Sequence, residues 1–268
     1  MNNELNKFYQ TWSKKSDKLI NYDNESAGRK VDTILEGMPE LNDLGIKSAV
    51  DFGCGYGKTL HDFYERMGLE KAYGFDVSED AINYAQKNFA SGGLQFHQLP
   101  NLDIVENTQV IKSNVDIEVD AVLLVDLLEH IPDCVSLVQN LSSIAKYFII
   151  VLPIEENMIN NYLLRKIYPS TKHYNGHVRE FNANSVYYFI RKIGLTPIAE
   201  GIHIYDFKDS YPPQAPGPIS LRGIARKSLK YIRMMLALVL PKKIYLRLVG
   251  PGTYYCVATF SKEHILIP

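Results

Sequence analysis

Short runs of β-branched and aromatic residues alternate with amphipathic segments from residue 47 onward. Seven runs have the length and composition typical of strands. They are SAVDFGC (48–54), KAYGFDV (71–77), LQFHQL (94–99), VDAVLLVDLL (119–128), YFIIVLPI (147–154), TPIAEGIHIYDF (196–207) and TYYCVATFSK (253–262). Four amphipathic segments between them have the spacing typical of helices. They are KTLHDFYERMG (58–68), SEDAINYAQKNF (78–89), CVSLVQNLSSIA (134–145) and NSVYYFIRKIG (184–194).

Strands that alternate with helices at this spacing indicate crossover units and a parallel sheet covered on both faces. We therefore predict an α/β, doubly wound core formed by residues 47–207 and 253–268. Residues 1–46 precede this core and are predicted to form an N-terminal helical cover. Residues 208–252 begin near the proline-rich stretch YPPQAPGP and are predicted to form a basic helical insertion.

Composition restricts the class of protein. The chain has 268 residues, a net charge of −1 and 46% hydrophobic residues, which suits one well-buried domain with insertions. Its three cysteines are scattered, which argues for a reducing compartment. The first residues are polar, and the longest apolar run, MMLALVL, falls far short of the ~20 residues that span a bilayer. We expect a cytoplasmic protein that is not exported.

The stretch VDFGCGYG joins the first strand to the first helix and carries three alternating glycines, Gly53, Gly55 and Gly57. Such a turn lies at the carboxyl edge of the sheet, where doubly wound folds bind ligands. Asp51 precedes the glycines, and Asp76 ends the second strand. An acid at that second position is placed to bind the two hydroxyls of a ribose.

These motifs resemble those of the class I S-adenosylmethionine-dependent methyltransferases. VDFGCGYG is similar to their first motif, YGFDVSEDAINYA to their second, and VDAVLLVDLLEHIPD to the segment around their fourth strand. The resemblance covers roughly residues 47–207 and 253–262. It implies a Rossmann-like seven-stranded sheet whose last two strands form an antiparallel hairpin, S-adenosylmethionine as cofactor, and methyl transfer as activity.

The resemblance also implies cofactor-binding residues. The glycine turn would pass under the amino-acid portion of the cofactor, Asp51 would orient its ammonium group, and Asp76 would hold the ribose. An acid after the third strand is frequent in this family, but here the stretch is HQLPNLD, so Asn101 or backbone groups would bind the adenine. The full set of predicted cofactor-binding residues is Asp51, Gly53, Cys54, Gly55, Gly57, Asp76, Val77, Asn101, Asp126 and Tyr9.

The turn has other interpretations, one of which is that the glycines only let the helix and the strand pack closely. A nicotinamide-binding fold would have a third glycine or alanine at position 58, which is Lys58 here. Cys54 at a helix start could be an activated thiol, but a small buried residue between glycines is the simpler interpretation.

An acid and histidine cluster follows the fourth strand in VDLLEHIPD. Transfer of a methyl group to an alcohol needs a base for the acceptor's proton. His130 is the candidate base, with Glu129 orienting it; the alternative is that the pair only shapes the pocket. Asp126, Glu129, His130 and His177 also resemble the E-x-x-E-H metal pattern of ubiquinone-pathway O-methyltransferases and small-RNA 3′-end methyltransferases, which would imply Mg²⁺ or Mn²⁺.

The segment between Asp209 and Glu263 contains no acid and nine of the 29 basic residues. On a helix, Leu221, Ile224, Ser228, Ile232, Met235 and Val239 would share one face. One interpretation packs this apolar face on the core or in a homodimer; the other docks an anionic acceptor or a membrane surface. We further predict that residues 218–248 cap the acceptor side of the site.

Taken together, the predicted activity is O-methylation of a small hydroxylated metabolite or of a sugar- or phosphate-bearing glycan precursor, by a monomer or homodimer. The acceptor would then be a small molecule, with an anionic or carrier-linked group as one form. RNA methylation with a metal-assisted site and small-molecule N-methylation are the alternatives. The net charge of −1 argues against nucleic acid as the partner.

Overall fold

A mixed seven-stranded sheet organises the protein in a computed structural model that describes residues 17–115, 118–158, 177–204, 231–233, 235–250 and 252–261. The strand order is β3-β2-β1-β4-β5-β7-β6. Strands β1 to β5 pair in parallel, and β7 lies antiparallel to both β5 and β6. The doubly wound fold and its terminal antiparallel hairpin, both predicted from the sequence, are confirmed.

The strands observed are β1 (Ser48–Phe52), β2 (Lys71–Asp76), β3 (Leu94–Gln98), β4 (Val119–Val125), β5 (Ala145–Ile154), β6 (Leu195–Ile204) and β7 (Gly252–Phe260). The helices are α1 (Asp17–Gly37), α2 (Lys58–Met67), α3 (Glu79–Phe89), α4 (Ile104–Asn114), α5 (Cys134–Leu141), α6 (Ser185–Lys192) and α7 (Lys242–Leu248). A 3₁₀ turn covers Pro39–Asp43. Residues 231–233 and 235–239 are also helical and are called the 231–239 helix below.

Side-chain caps fix where several helices begin. The Ser78 hydroxyl accepts a hydrogen bond from the backbone N–H of Ala81 and caps the start of α3. Two asparagines, Asn182 and Asn184, precede α6. The carboxamide oxygen of Asn182 accepts from the backbone N–H groups of both Asn184 and Ser185, so Asn182 supplies the capping group.

Helix α4 was missed by the sequence analysis. Asp103 caps it by accepting from the backbone N–H of Glu106, and only Asn107, Thr108 and Ile111 are buried along it. Its apolar periodicity is weak because two of those three buried side chains are polar. A pattern search based on hydrophobic spacing therefore passes over it.

The sheet separates two buried clusters, one on each face. Helices α1, α2 and α3 cover one face, with Ile34, Phe63 and Ala85 among the buried residues. Helices α4 to α7 cover the other, where Leu137 and Tyr245 are buried. Both faces are thus covered, and doubly wound sheets of this kind bind ligands at the carboxyl ends of their strands.

The last strands bring the insertion to the same edge as the glycine turn. Gly252, the first residue of β7, pairs with Ile154 and with Ile204, the final residues of β5 and β6. The insertion therefore leaves the end of β6 and returns to the start of β7 at the carboxyl edge of the parallel strands. Within the described ranges, no helix has the length and apolarity to cross a membrane.

Candidate active site

The glycine turn is held against β2 by its backbone. The N–H groups of Gly53 and Cys54 both donate to the carbonyl of Phe75, at 2.7 and 3.0 Å. Gly55 and Gly57 adopt φ values of 52° and 82°, in the left-handed region that favours glycine. A Cβ at Gly57 would lie 2.7 Å from the ring of Phe96, whereas one at Gly55 would meet nothing within 4 Å. Gly57 is therefore required for packing, and Gly55 faces open space at the edge of the sheet.

Asp76 lies at the end of β2, beside the open side of this turn. One carboxylate oxygen accepts from the N–H of Gly55 and the other from the N–H of Ser78, both at 2.9 Å. Each oxygen has a second lone pair that a hydroxyl could use. Burial raises the pKa of Asp76, while these backbone hydrogen bonds oppose the rise.

Asp51 is almost fully buried in β1, 2% exposed. Among the described residues, its Oδ1 atom has no hydrogen-bond partner. Burial, and secondarily the charge of Asp76, raises the pKa of Asp51 to about 7, and Lys30 acts in the opposite direction. A buried carboxyl group with an unsatisfied oxygen is destabilising by itself, and a donor or cation beside it would relieve that cost.

Asp126 follows β4 at the same edge and forms an ion pair of 2.5 Å with Lys30 of α1. Of the described residues other than glycine, only Asp126 has a positive φ, at 49°. The sequence analysis did not identify Lys30. Lys30 lies in α1, before the core, and belongs to none of the motifs. Only folding places it beside the end of β4.

Glu129, His130 and His177 form a compact cluster just beyond Asp126. One ligand atom from each lies within 4.8 Å of the other two. The rings of His130 and His177 meet edge to face, with centroids 4.7 Å apart, and His130 Nε2 lies 4.0 Å from Glu129 Oε1. His177 Nδ1 is 2.9 Å from Glu155 Oε2. Three of the four predicted metal ligands are thus brought together, while Asp126 is outside this group and pairs with Lys30.

Burial and neighbouring charges shift the pKa values of Glu129 and His177. Burial, followed by the neighbouring charge of Asp126, holds the pKa of Glu129 well above its usual range. Burial lowers the pKa of His177, but its hydrogen bond with Glu155 and nearby carboxylates outweigh this and give a net rise. Among the described residues, Glu129 Oε2 has no hydrogen-bond partner. A proton or a cation is the group that would satisfy it.

Arg179 fixes the loop that carries the cluster. Its guanidinium group donates to the backbone carbonyls of Leu128, Ile131 and Pro132, at 2.7–2.8 Å. The N–H of Val178 also donates to the carbonyl of Glu129 at 2.8 Å. Arg179 therefore positions the loop after β4.

Other predicted residues have different outcomes. Asn101 uses its side chain within its own turn, where it donates to Glu106 and accepts from the N–H of Asp103. Burial raises the pKa of Cys54 well above its ordinary value, which supports a packing role and not an activated thiol. Val77 is half-buried at the end of β2. Tyr9 lies outside the described residues, so its predicted contact stays a prediction.

The strand order, the glycine turn and the acid after β2 together define the fold class of the class I S-adenosylmethionine-dependent methyltransferases. The profile of a family described as "Methyltransferase domain" matches residues 46–192, more than half of the chain. The chain belongs to this methyltransferase domain family. The family and the S-adenosylmethionine cofactor predicted from the sequence are thereby confirmed.

Similar proteins include a ubiquinone biosynthesis O-methyltransferase of Actinobacillus pleuropneumoniae serotype 5b, 28% identical over 109 residues. The match covers 40% of this chain and 44% of that protein, so it spans less than half the length of either. Magnesium protoporphyrin IX methyltransferase from Synechocystis PCC 6803 with bound SAH is 14% identical, with a TM-score of 0.55, and the alignment covers 97% of this chain and 99% of that one. A SAM-dependent methyltransferase from Archaeoglobus fulgidus is 18% identical, with a TM-score of 0.51 over 88% and 94% of the two chains. At these identities the two structures show the fold alone.

The residues at the carboxyl edge fit this cofactor. Gly55 leaves open space beside the backbone, Asp76 has lone pairs for two hydroxyls, and Asp51 is a buried carboxyl group with an unsatisfied oxygen. These are the groups that an adenosyl amino acid requires: an open backbone, a hydroxyl acceptor and an anion near its ammonium group. Their exact roles remain predictions.

The raised pKa of Asp51 predicts a pH-dependent cost in the cofactor-free protein. Between the ordinary value of 3.8 and about 7, the folded state holds more protons than the unfolded chain, so ionisation of Asp51 lowers stability as pH rises through this range. Asp51→Asn should therefore gain stability relative to the natural protein by up to about 1.4 kcal/mol per pH unit, and the gain should level off above pH 7. Urea unfolding of both proteins from pH 5 to pH 8 measures this difference. A difference that is constant with pH would contradict the assignment.

Proposed function

We propose that this protein transfers the methyl group of S-adenosylmethionine to a hydroxyl oxygen of a small acceptor. The observation that carries the proposal is the juxtaposition, at one edge of the sheet, of the glycine turn with Asp76 and of the Glu129–His130–His177 cluster. Residues that fit the cofactor and groups that can take a proton thus lie on adjacent strand ends, β1, β2 and β4. Bound there, the cofactor supplies an electrophilic methyl group on a sulfonium ion.

The chain's own residues would bind and orient the reactants. Asp76 accepts the ribose hydroxyls, and ionised Asp51 compensates the ammonium group. Lys30, held by its ion pair with Asp126, fastens α1 beside the end of β4. This contact supports the prediction that the N-terminal region covers the site, because it joins that region to the catalytic edge.

His130 is the proposed general base. It lies on the loop that Arg179 clamps, and its Nε2 atom is 4.0 Å from the buried Glu129 carboxyl group. When the imidazole takes the acceptor's proton, the resulting cation lies beside Glu129 and would favour the ionised form of that carboxyl. Glu129 would thus stabilise the protonated imidazole and hold the ring in position.

A divalent cation is the second candidate arrangement, and the mutual proximity of Glu129, His130 and His177 favours it. Two imidazoles and one carboxylate form a donor set that suits a divalent transition metal such as Mn²⁺. When bound, such an ion would lower the pKa of a coordinated hydroxyl. The unsatisfied Glu129 Oε2 fits this interpretation as well as it fits a protonated carboxyl group.

Small hydroxylated molecules are the acceptors we favour. One partly matching relative is a ubiquinone biosynthesis O-methyltransferase, and the match covers less than half of each chain. The shared core does not specify the acceptor atom or the acceptor molecule. N-methylation and RNA methylation are therefore the alternatives to be tested directly.

The experiment has two parts. Calorimetry with S-adenosylhomocysteine should show binding, and Asp76→Ala should weaken it by ~1–3 kcal/mol, because a buried polar partner of the ligand is lost. Asp80→Ala is the matched control, since Asp80 is an exposed acid on the first turn of α3. Mass spectrometry of catechols, phenols, sugars, amines and RNA incubated with S-adenosylmethionine then identifies the methylated class. No binding of the cofactor product, or tight binding of NAD instead, would overturn the proposal.

A further inference from the structure

An apolar surface faces solvent on the insertion. Five large hydrophobic side chains of the 231–239 helix are between 53% and 78% exposed, and they are Tyr231, Ile232, Met235, Leu238 and Val239. Ile232, Met235 and Val239 belong to the apolar face that the sequence predicts to pack on the core, in a homodimer or against a membrane surface. In the structure these three side chains are exposed, so they do not pack on the core. Leu221, Ile224 and Ser228 lie outside the described residues.

The opposite side of this helix packs on the core. Arg233 is buried, and Leu236, Ala237 and Leu240 pack against the core cluster on the α4–α7 face of the sheet. Burial raises the pKa of the Tyr245 hydroxyl to about 12, and the positive charge of Arg233 opposes this rise. The helix is therefore seated on the core, and its exposed hydrophobic residues are an outward face and not a detached segment.

Helix α7 continues this face and adds positive charge. Tyr245 and Leu246 turn inward and are buried, while Lys242, Lys243, Ile244 and Arg247 are exposed. Residues of α7 and of the segment after β5 line an open groove of about 380 Å³, and they are Met158, Lys243, Ile244, Arg247 and Leu248. We call the exposed residues of the 231–239 helix, together with those of α7, the docking surface.

We propose that the docking surface binds a membrane that contains anionic lipids. Its outer hydrophobic residues would enter the boundary between headgroups and acyl chains, and its basic residues would meet lipid phosphates. Charge complementarity favours an anionic membrane over a second copy of this chain. The chain has no acid between Asp209 and Glu263, so the positive charge is not compensated within the segment. A second copy in a twofold contact would meet the same basic surface, whereas an anionic membrane neutralises it.

The location relates this surface to the site. Residues 205–251 connect the ends of β6 and β7 at the carboxyl edge, where Ile204, Gly252 and Ile154 lie in register. The glycine turn, Asp76 and His130 lie at the carboxyl ends of β1, β2 and β4 in the same sheet. A membrane on the docking surface would therefore lie near the edge from which an acceptor enters. The binding itself does not depend on the proposed reaction.

Vesicle sedimentation with the full chain tests the proposal. We expect the natural protein to bind vesicles of phosphatidylcholine with 30% phosphatidylglycerol at least tenfold more strongly than vesicles of phosphatidylcholine alone. Raising the salt to 0.5 M should weaken this binding, because exposed charges are screened. The triple variant Lys242→Gln, Lys243→Gln, Arg247→Gln should reduce binding to anionic vesicles about tenfold or more. The double variant Leu238→Ser, Val239→Ser should reduce binding to the same vesicles by the same factor at low and at high salt.

Matched controls use exposed residues elsewhere. Val105→Ser on α4 and Lys87→Gln on α3 remove a comparable hydrophobic or basic side chain and should leave vesicle binding unchanged. Circular dichroism establishes that each variant is folded, and S-adenosylhomocysteine binding should be retained in all of them. Equal binding to both kinds of vesicle, or equal loss in the controls, would overturn the proposal. So would a stable dimer that Leu238→Ser with Val239→Ser dissociates while the natural protein ignores anionic vesicles.

Discussion

His130→Ala is expected to lower kcat by about 10²–10⁴-fold, the usual contribution of a general base, while S-adenosylhomocysteine binds with unchanged affinity. The two readouts separate because His130 lies on the loop after β4, whereas the proposed cofactor contacts come from the ends of β1 and β2. The ring is held by its edge-to-face contact with His177 and by the loop that Arg179 clamps. Single-turnover kinetics at saturating cofactor measure the chemical step directly.

His177→Ala distinguishes a base from a metal ligand. If His130 acts as a base alone, His177→Ala should have a much smaller effect than His130→Ala, and a chelator should leave activity intact. If the cluster binds a cation, both variants should lose comparable activity, and Mn²⁺ should restore chelated natural protein. His203→Ala is the control, since His203 is exposed on β6. Full activity of His130→Ala would show that the acid and histidine cluster only shapes the pocket.

Gly55→Ala is expected to abolish cofactor binding in a folded protein, whereas Gly57→Ala is expected to prevent folding. A Cβ at position 55 would meet no atom within 4 Å, so it would occupy the open space that the cofactor is proposed to fill. Its fold would bear only the strain of a left-handed backbone, about 1–2 kcal/mol. A Cβ at position 57 would bear the same strain and also clash with Ala85 and Phe96, both at 2.7 Å, in a core that cannot move aside.

Gly45→Ala is the matched control for this pair. Gly45 has a φ of 64°, and a Cβ there would also meet nothing within 4 Å, but it lies before β1 at the opposite edge of the sheet. It should therefore lose the same stability as Gly55→Ala and bind S-adenosylhomocysteine normally. Urea unfolding and calorimetry of the three variants measure both quantities. Normal cofactor binding by Gly55→Ala would contradict the proposed position of the cofactor.

The core was predictable because its signals are local. The strand YFIIVLPI, the Ser78 cap of α3 and Gly68 at the end of α2 each depend on residues adjacent in the chain. Alternation of strands and helices then limits the topology to few possibilities, because crossover connections in parallel sheets have one hand. The glycine turn and Asp76 followed from the same reasoning, together with the family resemblance.

The residues whose roles the sequence did not predict make contacts with residues distant in the chain. Arg179 binds carbonyls about 50 residues away, and Lys30 pairs with Asp126 across 96 positions of sequence. Neither residue lies in a motif, and each would be an ordinary surface charge on its own segment. Helix α4 was not predicted for a different reason, because polar side chains occupy two of its three buried positions.

The sequence alone determined the order of the strands and the position of the glycine turn, because backbone propensity and hydrophobic period act over a few residues. Its motifs, taken in order, indicated the family. It also placed acids and histidines after the fourth strand. Only the tertiary structure decided that Glu129, His130 and His177 converge while Asp126 pairs with Lys30, and that the hydrophobic residues of the 231–239 helix face outward. An amphipathic pattern fixes which residues share a face, but which face is buried depends on the surface that the rest of the chain presents.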